Sequence, residues 1–124
     1  MTETEIIDSY CQAWSDPDPI RRASLLFAVW STDGTYSDPT VFELNAEALL
    51  VHIERMQSNR PGAKVLRSTA VEKHHTFARF GFKVVGIDGA ILREGIDIIT
   101  FSSRSSLIER VVGFVGSLNA RDDA

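Results

Sequence analysis

At 124 residues, 44% of them hydrophobic, the chain has material for one core and too little length for a second. The formal net charge is −4 and the basic residues are scattered, Arg21-Arg22 being the one adjacent pair, so nothing resembles a phosphate-tracking stripe and nucleic acid is not an expected partner. No apolar run approaches the roughly 20 residues of a membrane helix, and the acidic start Met1-Thr2-Glu3-Thr4-Glu5 lacks the basic-then-apolar order of a secretory signal; a single domain spanning 1–124, cytoplasmic and without a membrane partner, is expected.

Residues 4–15 read as a helix, with Ile6, Ile7, Tyr10, Cys11 and Trp14 at three- and four-residue spacing and Thr2 or Thr4 as cap. Cys11, the one cysteine, lies on that stripe and reads as a buried, inert thiol. After Ser15-Asp16-Pro17, the pair Asp18-Pro19 opens a second helix that runs to about Trp30. Ile20, Ala23, Phe27 and Trp30 form its predicted inward stripe, broadened by Leu26 and Val29. Thr32-Asp33-Gly34 reads as a turn, and 34–38 as a short strand stopped by Pro39. Asn45 caps a third helix that carries Leu49, Leu50, Ile53 and Met56 inward until Asn59-Arg60-Pro61-Gly62. The segments 64–72, 75–86, 90–101 and 107–116 then read as strands, with Asp88-Gly89 the clearest hairpin turn and Ser102 to Ser106 a polar connection. Residues 117–124 read as a frayed tail. Helices first and hairpin-linked strands after imply α+β: three N-terminal helices on one face of a curved antiparallel sheet, a cone with an apolar pocket. Trp14, Trp30, Tyr36, Ile53 and Phe114 are expected to border that pocket, and the apolar residues on both faces of 75–86 and 107–116 suggest a homodimer through the outer sheet face.

Among residues that could carry chemistry, Asp97 stands out. It sits in Gly95-Ile96-Asp97-Ile98-Ile99-Thr100-Phe101, apolar on both strand faces, so its carboxyl should be hard to ionise. Either it is a pocket acid, or it is a buried aspartate paired with an arginine such as Arg79 or Arg93. Asp38 shares a strand face with Tyr36 and ends the strand, from which it can reach a cavity; Asp-Pro is also ordinary turn chemistry. Tyr10 is inward on the first helix and needs a partner for its hydroxyl. His52 stands alone on the third helix, and His74 and His75, consecutive in a strand, are expected to face opposite sides. No spacing suggests a metal site and no phosphate loop is present, so neither metal nor cofactor is expected.

With those residues in place, the chain resembles the SnoaL-like branch of the nuclear-transport-factor-2-like superfamily. The resemblance runs through helix, helix, Tyr36-Ser37-Asp38-Pro39, helix, four strands, and a last strand holding Gly113-Phe114. It implies the same cone fold and frequent dimers. Within that superfamily the ketosteroid isomerases look similar in three polar pocket positions, matched here by Tyr10, Asp38 and Asp97. The resemblance implies that Asp38 is a general base acting α to a carbonyl, and that Tyr10 and protonated Asp97 donate hydrogen bonds to the enolate oxygen. The implied substrate is a small apolar carbonyl compound, steroid- or polyketide-like. Relatives that cyclise polyketides or open epoxides with an Asp-Arg-Asp set, and members that bind an apolar ligand or dimerise without catalysis, leave other roles open.

Overall fold

The structure, a computed structural model, describes residues 1–122. Helix α1 spans Glu3–Ser15, begun by a reciprocal cap in which the Thr2 hydroxyl accepts from the Glu5 N–H and Glu5 accepts from the Thr2 N–H. Its inward face is Ile6, Ile7, Tyr10, Cys11, Ala13 and Trp14. Helix α2, Pro19–Val29, starts where the Asp18 carboxylate accepts from the Ile20 N–H.

The inward face of α2 keeps only part of the predicted stripe. Leu26, Val29 and Trp30 are buried as expected, but Ile20 is 80% and Phe27 50% exposed, and Arg22, which was not expected inside, is buried. The helix carries two candidate stripes roughly a third of a turn apart, and a polar network selects between them. The Arg22 Nε donates to the Asp16 carbonyl at 2.6 Å, Nη2 donates to the Pro17 carbonyl at 3.1 Å, and Nη1 meets the Glu54 carboxylate. A planar fork so fully satisfied can be buried at little penalty, and it ties α2 to α3.

Strand β1, Trp30–Asp38, is longer than predicted. Thr32-Asp33-Gly34 is not a reversal but an irregularity inside the strand, between the register points Trp30 and Thr35. Gly34 lies against the Trp30 indole, where a Cβ would come within 2.5 Å of Nε1. Strand β2, Val41–Leu44, was not anticipated; it pairs antiparallel with β1. Asn45 caps α3, Ala46–Asn59, whose buried residues are Ala46, Leu49, Ile53 and Gln57, with Leu50 and Met56 half-buried at the core margin. The Gln57 amide donates to the carbonyls of Trp14 and Ala63, fastening α3 to α1 and to the next connection.

The predicted strand 64–72 is broken into β3, Lys64–Arg67, and β4, Glu72–His74; both pair with β5, Phe77–Val85. β6, Ile91–Phe101, and β7, Ile108–Val115, complete a sheet ordered β2-β1-β7-β6-β5-β3. The sheet is mixed: β1 and β7 run parallel, the other pairs antiparallel. Local turn signals report hairpins, which are antiparallel by construction, whereas β1 and β7 meet from distant parts of the chain. The helices cover one face, and Leu26, Val29, Leu49, Ile53, Ile99, Ile108 and Val111 are buried between the layers. Position 75 departs from expectation as well. His75 has φ +54 in the β4–β5 turn, which brings its Nδ1 within 2.9 Å of the His74 Nδ1 instead of sending the rings to opposite faces. After β7, residues 117–122 carry no helix or strand; the rest of the predicted tail lies outside the described residues. No helix among the described residues is long and apolar enough to cross a membrane.

Candidate functional site

Between α1, α3 and the concave face of the sheet lies a cavity of about 540 Å³. Strand alternation brings Asp97 into it: on β6, Asp97, Ile99 and Phe101 are buried while Ile96 and Ile98 face outward. The ladder sets Asp97 opposite Phe80 on β5 and Gly113 on β7. Gly113 matters by what it lacks. A Cβ there would sit 2.8 Å from Asp97 Oδ1 and 3.7 Å from the Asp38 Cβ, so the glycine leaves the room in which the two acids share one wall.

Among the described residues no hydrogen bond or ion pair reaches the Asp97 carboxyl; Arg79 is engaged by Glu72 at 2.9 Å, and Arg93 lies exposed at the cavity rim. The arginine-paired alternative for Asp97 is therefore absent. Burial, and after it the charge of Asp38, pushes the Asp97 pKa up to about 7.

Asp38 ends β1 in the opposite electrostatic condition. Its Oδ1 accepts from the Thr40 N–H and hydroxyl, both at 2.7 Å, and from the Val41 N–H at 3.2 Å. Its Oδ2 accepts from the Tyr36 hydroxyl at 2.7 Å and lies 3.4 Å from His52 Nε2. Burial pushes this carboxyl upward, but the bonds from Thr40 and Tyr36 and the neighbouring imidazole outweigh it and hold Asp38 below the ordinary carboxylate range. The Asp-Pro turn chemistry and the cavity position thus coexist: one oxygen fastens the turn, the other faces the cavity side chains.

Tyr10 and Trp14 reach the cavity from α1. The Tyr10 hydroxyl is raised well above its usual pKa by burial first and by the Asp97 charge next, and its ring stacks on Trp30 at 6.1 Å. Asp97 acts on this hydroxyl through its charge, while the hydrogen bond felt there is one with Trp14. Cys11, beside Tyr10, is buried with its thiol pushed up to about 12, the condition of an inert thiol.

Of the predicted lining, Trp14 and Tyr36 border the cavity, and Trp30, Ile53 and Phe114 do not. Trp30 is buried behind Tyr10, with its Nε1 lacking a hydrogen-bond partner among the described residues. Ile53 points into the helix–sheet core, fully buried. Phe114 follows Gly113, so period two sends it to the outer face, where it pairs with Ile96 and is 58% exposed.

His52 was missed as a site residue. It lines the cavity, edge-on to Trp14 with ring centres 5.8 Å apart, and 6.0 Å from the Tyr36 ring. Its signal in the sequence was its place three residues after Leu49 and four before Met56, on the flank of the inward stripe. Among the described residues no group of three or more His, Cys, Asp or Glu side chains is arranged to hold a metal ion.

No family model matches the sequence, and no curated protein matches it. Solved structures do match, over nearly the whole chain. An inferred isomerase of the SnoaL-like family from Agrobacterium tumefaciens is 25% identical, with a TM-score of 0.83 over 92% of this chain and 97% of that one. An inferred polyketide cyclase from Sinorhizobium meliloti is 15% identical, with a TM-score of 0.67 over 88% and 93% of the two chains. A protein of ketosteroid isomerase-like fold from Catenulispora acidiphila, solved with trimethylamine, is 16% identical, with a TM-score of 0.68 over 90% and 85%. The last two are likenesses of fold alone.

Proposed function

We propose that this chain, which has the SnoaL-like, nuclear-transport-factor-2-like cone fold, is an enzyme that moves a proton at the carbon α to a carbonyl, as an isomerase or cyclase of a small carbonyl compound. The observation that carries the reading is a pair of carboxyls on one cavity wall pushed in opposite directions, Asp97 up to about 7 and Asp38 down. Opposed shifts in neighbouring acids are how one site holds a hydrogen-bond donor and a proton acceptor at the same pH.

In this reading Asp38 takes the α-proton on Oδ2. The C–H electron pair moves into the carbon–carbon bond, and the carbonyl π pair moves onto oxygen. Neutral Asp97 donates its O–H to that oxygen, with the Tyr10 hydroxyl as a second donor. In a β,γ-unsaturated ketone, return of the proton from Asp38 to the γ carbon of the dienolate completes an isomerisation; attack of the enolate carbon on a second carbonyl, whose π pair moves onto its oxygen and takes the proton back from Asp38, completes a cyclisation. His52, 3.4 Å from Oδ2, steadies the carboxylate. These steps call for no cofactor.

Asp97 acts protonated and Asp38 ionised, so kcat/KM should stay level up to about pH 7 and fall above it as Asp97 loses its proton. The acid limb should lie below the ordinary carboxylate range, because the Asp38 pKa is lowered. Solvent deuterium exchange into a panel of small ketones tests the chemistry. Asp38→Asn should abolish exchange while ligands still change the tryptophan fluorescence, and Asp97→Ala should slow exchange by about 100- to 1000-fold. Undiminished exchange in Asp38→Asn would sink the assignment.

A second reading, a non-catalytic cavity that binds a small apolar ligand, draws support from Asp38 itself. Its bonds to Thr40, Val41 and Tyr36 weaken it as a base. Binding of ketones without exchange in the unaltered protein would favour it. For the assembly we propose a homodimer through the outer sheet face, where Ile96, Ile98 and Phe114 stand exposed.

A further inference from the structure

The cavity is not uniformly apolar. Its deep end holds the buried Tyr10, Trp14 and Asp97, and its exposed rim holds Arg55 from α3, Arg60 just past the end of that helix, and Arg93 from β6. No carboxylate among the described residues lies within ion-pair distance of these three guanidinium groups. Glu54, the carboxylate next to Arg55 on α3, is engaged by Arg22. Arg93 faces inward on the concave side of β6, in phase with Gly95 and Asp97, and its charge is felt at the Tyr36 hydroxyl. The chain as a whole is acidic, with a formal net charge of −4, yet the cavity mouth is positive: three arginines against ionised Asp38, with Asp97 largely neutral below about pH 7. The carbonyl end of the α3 helix at Asn59 adds some negative potential there, worth only a fraction of one charge.

We infer that the substrate carries an oxyanion, a carboxylate or phosphate, at the end remote from its reacting carbonyl, held at the rim by Arg55, Arg60 and Arg93. The inference rests on the proton-transfer reading for the carbonyl end and replaces a wholly apolar ligand with an amphipathic one. Guanidinium forks match the planar carboxylate and the phosphate, and charge-assisted bonds are stronger than neutral ones. Arg93 and Asp97 are four residues apart on one strand face, which sets their α-carbons about 13 Å apart. A ligand that spans from one to the other therefore has a chain on the order of 10 Å between carbonyl and anion, too long for a short keto acid and in keeping with a cavity of about 540 Å³.

Three probes on one ten-carbon chain test this by tryptophan fluorescence, since Trp14 lines the cavity: 9-oxodecanoate, its methyl ester, and 9-oxodecyl phosphate. At least one anion should bind about tenfold or more tightly than the ester, and the tighter of the two identifies the tail. The preference should shrink as salt rises and fall severalfold in the double variant Arg55→Gln, Arg93→Gln, which leaves Arg60 alone at the rim. Both residues are exposed, so the fold should survive, and Arg104→Gln, an exposed arginine in the β6–β7 turn, should leave the preference intact. Affinity for the ester equal to that for both anions, no binding by any of the three, or a preference untouched by the double variant overturns the inference. Deuterium exchange into the ketone, followed in the same samples, separates the two claims. Anion preference without exchange removes the chemistry and keeps the rim site; exchange with no anion preference does the reverse.

Discussion

Asp97 faces the sheet's apolar side beside Ile99, Phe101 and Phe80, and its charged form is costly there. An unfolded aspartate titrates near 3.9, and in the fold the pKa rises to about 7. The native state thus binds the proton more tightly than the unfolded chain does. The stability associated with neutral Asp97 is fully present below about pH 4 and is lost progressively as pH rises through about 7. Asp97→Asn should therefore raise Tm at pH 8 and change it little at pH 4. The gain at pH 8 is bounded by about 4 kcal/mol, the equivalent of a three-unit shift. Thermal unfolding of both proteins at the two pH values measures it, and an unchanged Tm at pH 8 would contradict the burial argument. At this scale Asp97 was legible because every sequence neighbour announced an apolar surround. His52 was not, since its partner Asp38 is 14 positions away in the chain and nothing local couples them. Trp30 and Phe114 were misplaced for simpler reasons: a residue closing a helix turns behind the cavity wall, and a one-residue step along β7 changes faces.

At the level of elements, α1 and α3 followed their caps and apolar spacing closely, because one stripe dominates each. α2 did not, because burial of Arg22 against the Asp16 and Pro17 carbonyls overrides the larger apolar side chains Ile20 and Phe27. Arg22→Ala should lower stability by about 2–4 kcal/mol, since it strands two carbonyls and frees Glu54. Ile20→Ala should cost under about 0.5 kcal/mol, as an exposed surface change does. Urea unfolding of the two variants gives the comparison; similar losses would mean that α2 buries the predicted face after all. β2 escaped detection because four residues between Pro39 and Asn45 carry too little periodicity to register, yet the β1–β2 turn is what fixes one oxygen of Asp38.

For the whole molecule, the order of helices and strands was enough to give an α+β cone with its cavity between the layers. The parallel β1–β7 pair was hidden, since long-range pairing leaves no local mark. The outer face of the sheet leaves Ile96, Ile98 and Phe114 exposed side by side, which is the basis of the proposed dimer. Sedimentation at micromolar concentration should give a dimer, and Ile98→Lys with Phe114→Lys a monomer; a monomer before mutation would remove the proposal. The proposed chemistry depends on a different property of the assembled fold, that one cavity should hold a neutral acid beside an ionised one. Carbon-13 NMR of the aspartate carboxyls, assigned through Asp38→Asn and Asp97→Asn, reads this without any substrate. The account predicts an Asp97 midpoint near pH 7 and an Asp38 midpoint below the ordinary carboxylate range. An Asp97 midpoint at or below about pH 4 would contradict it.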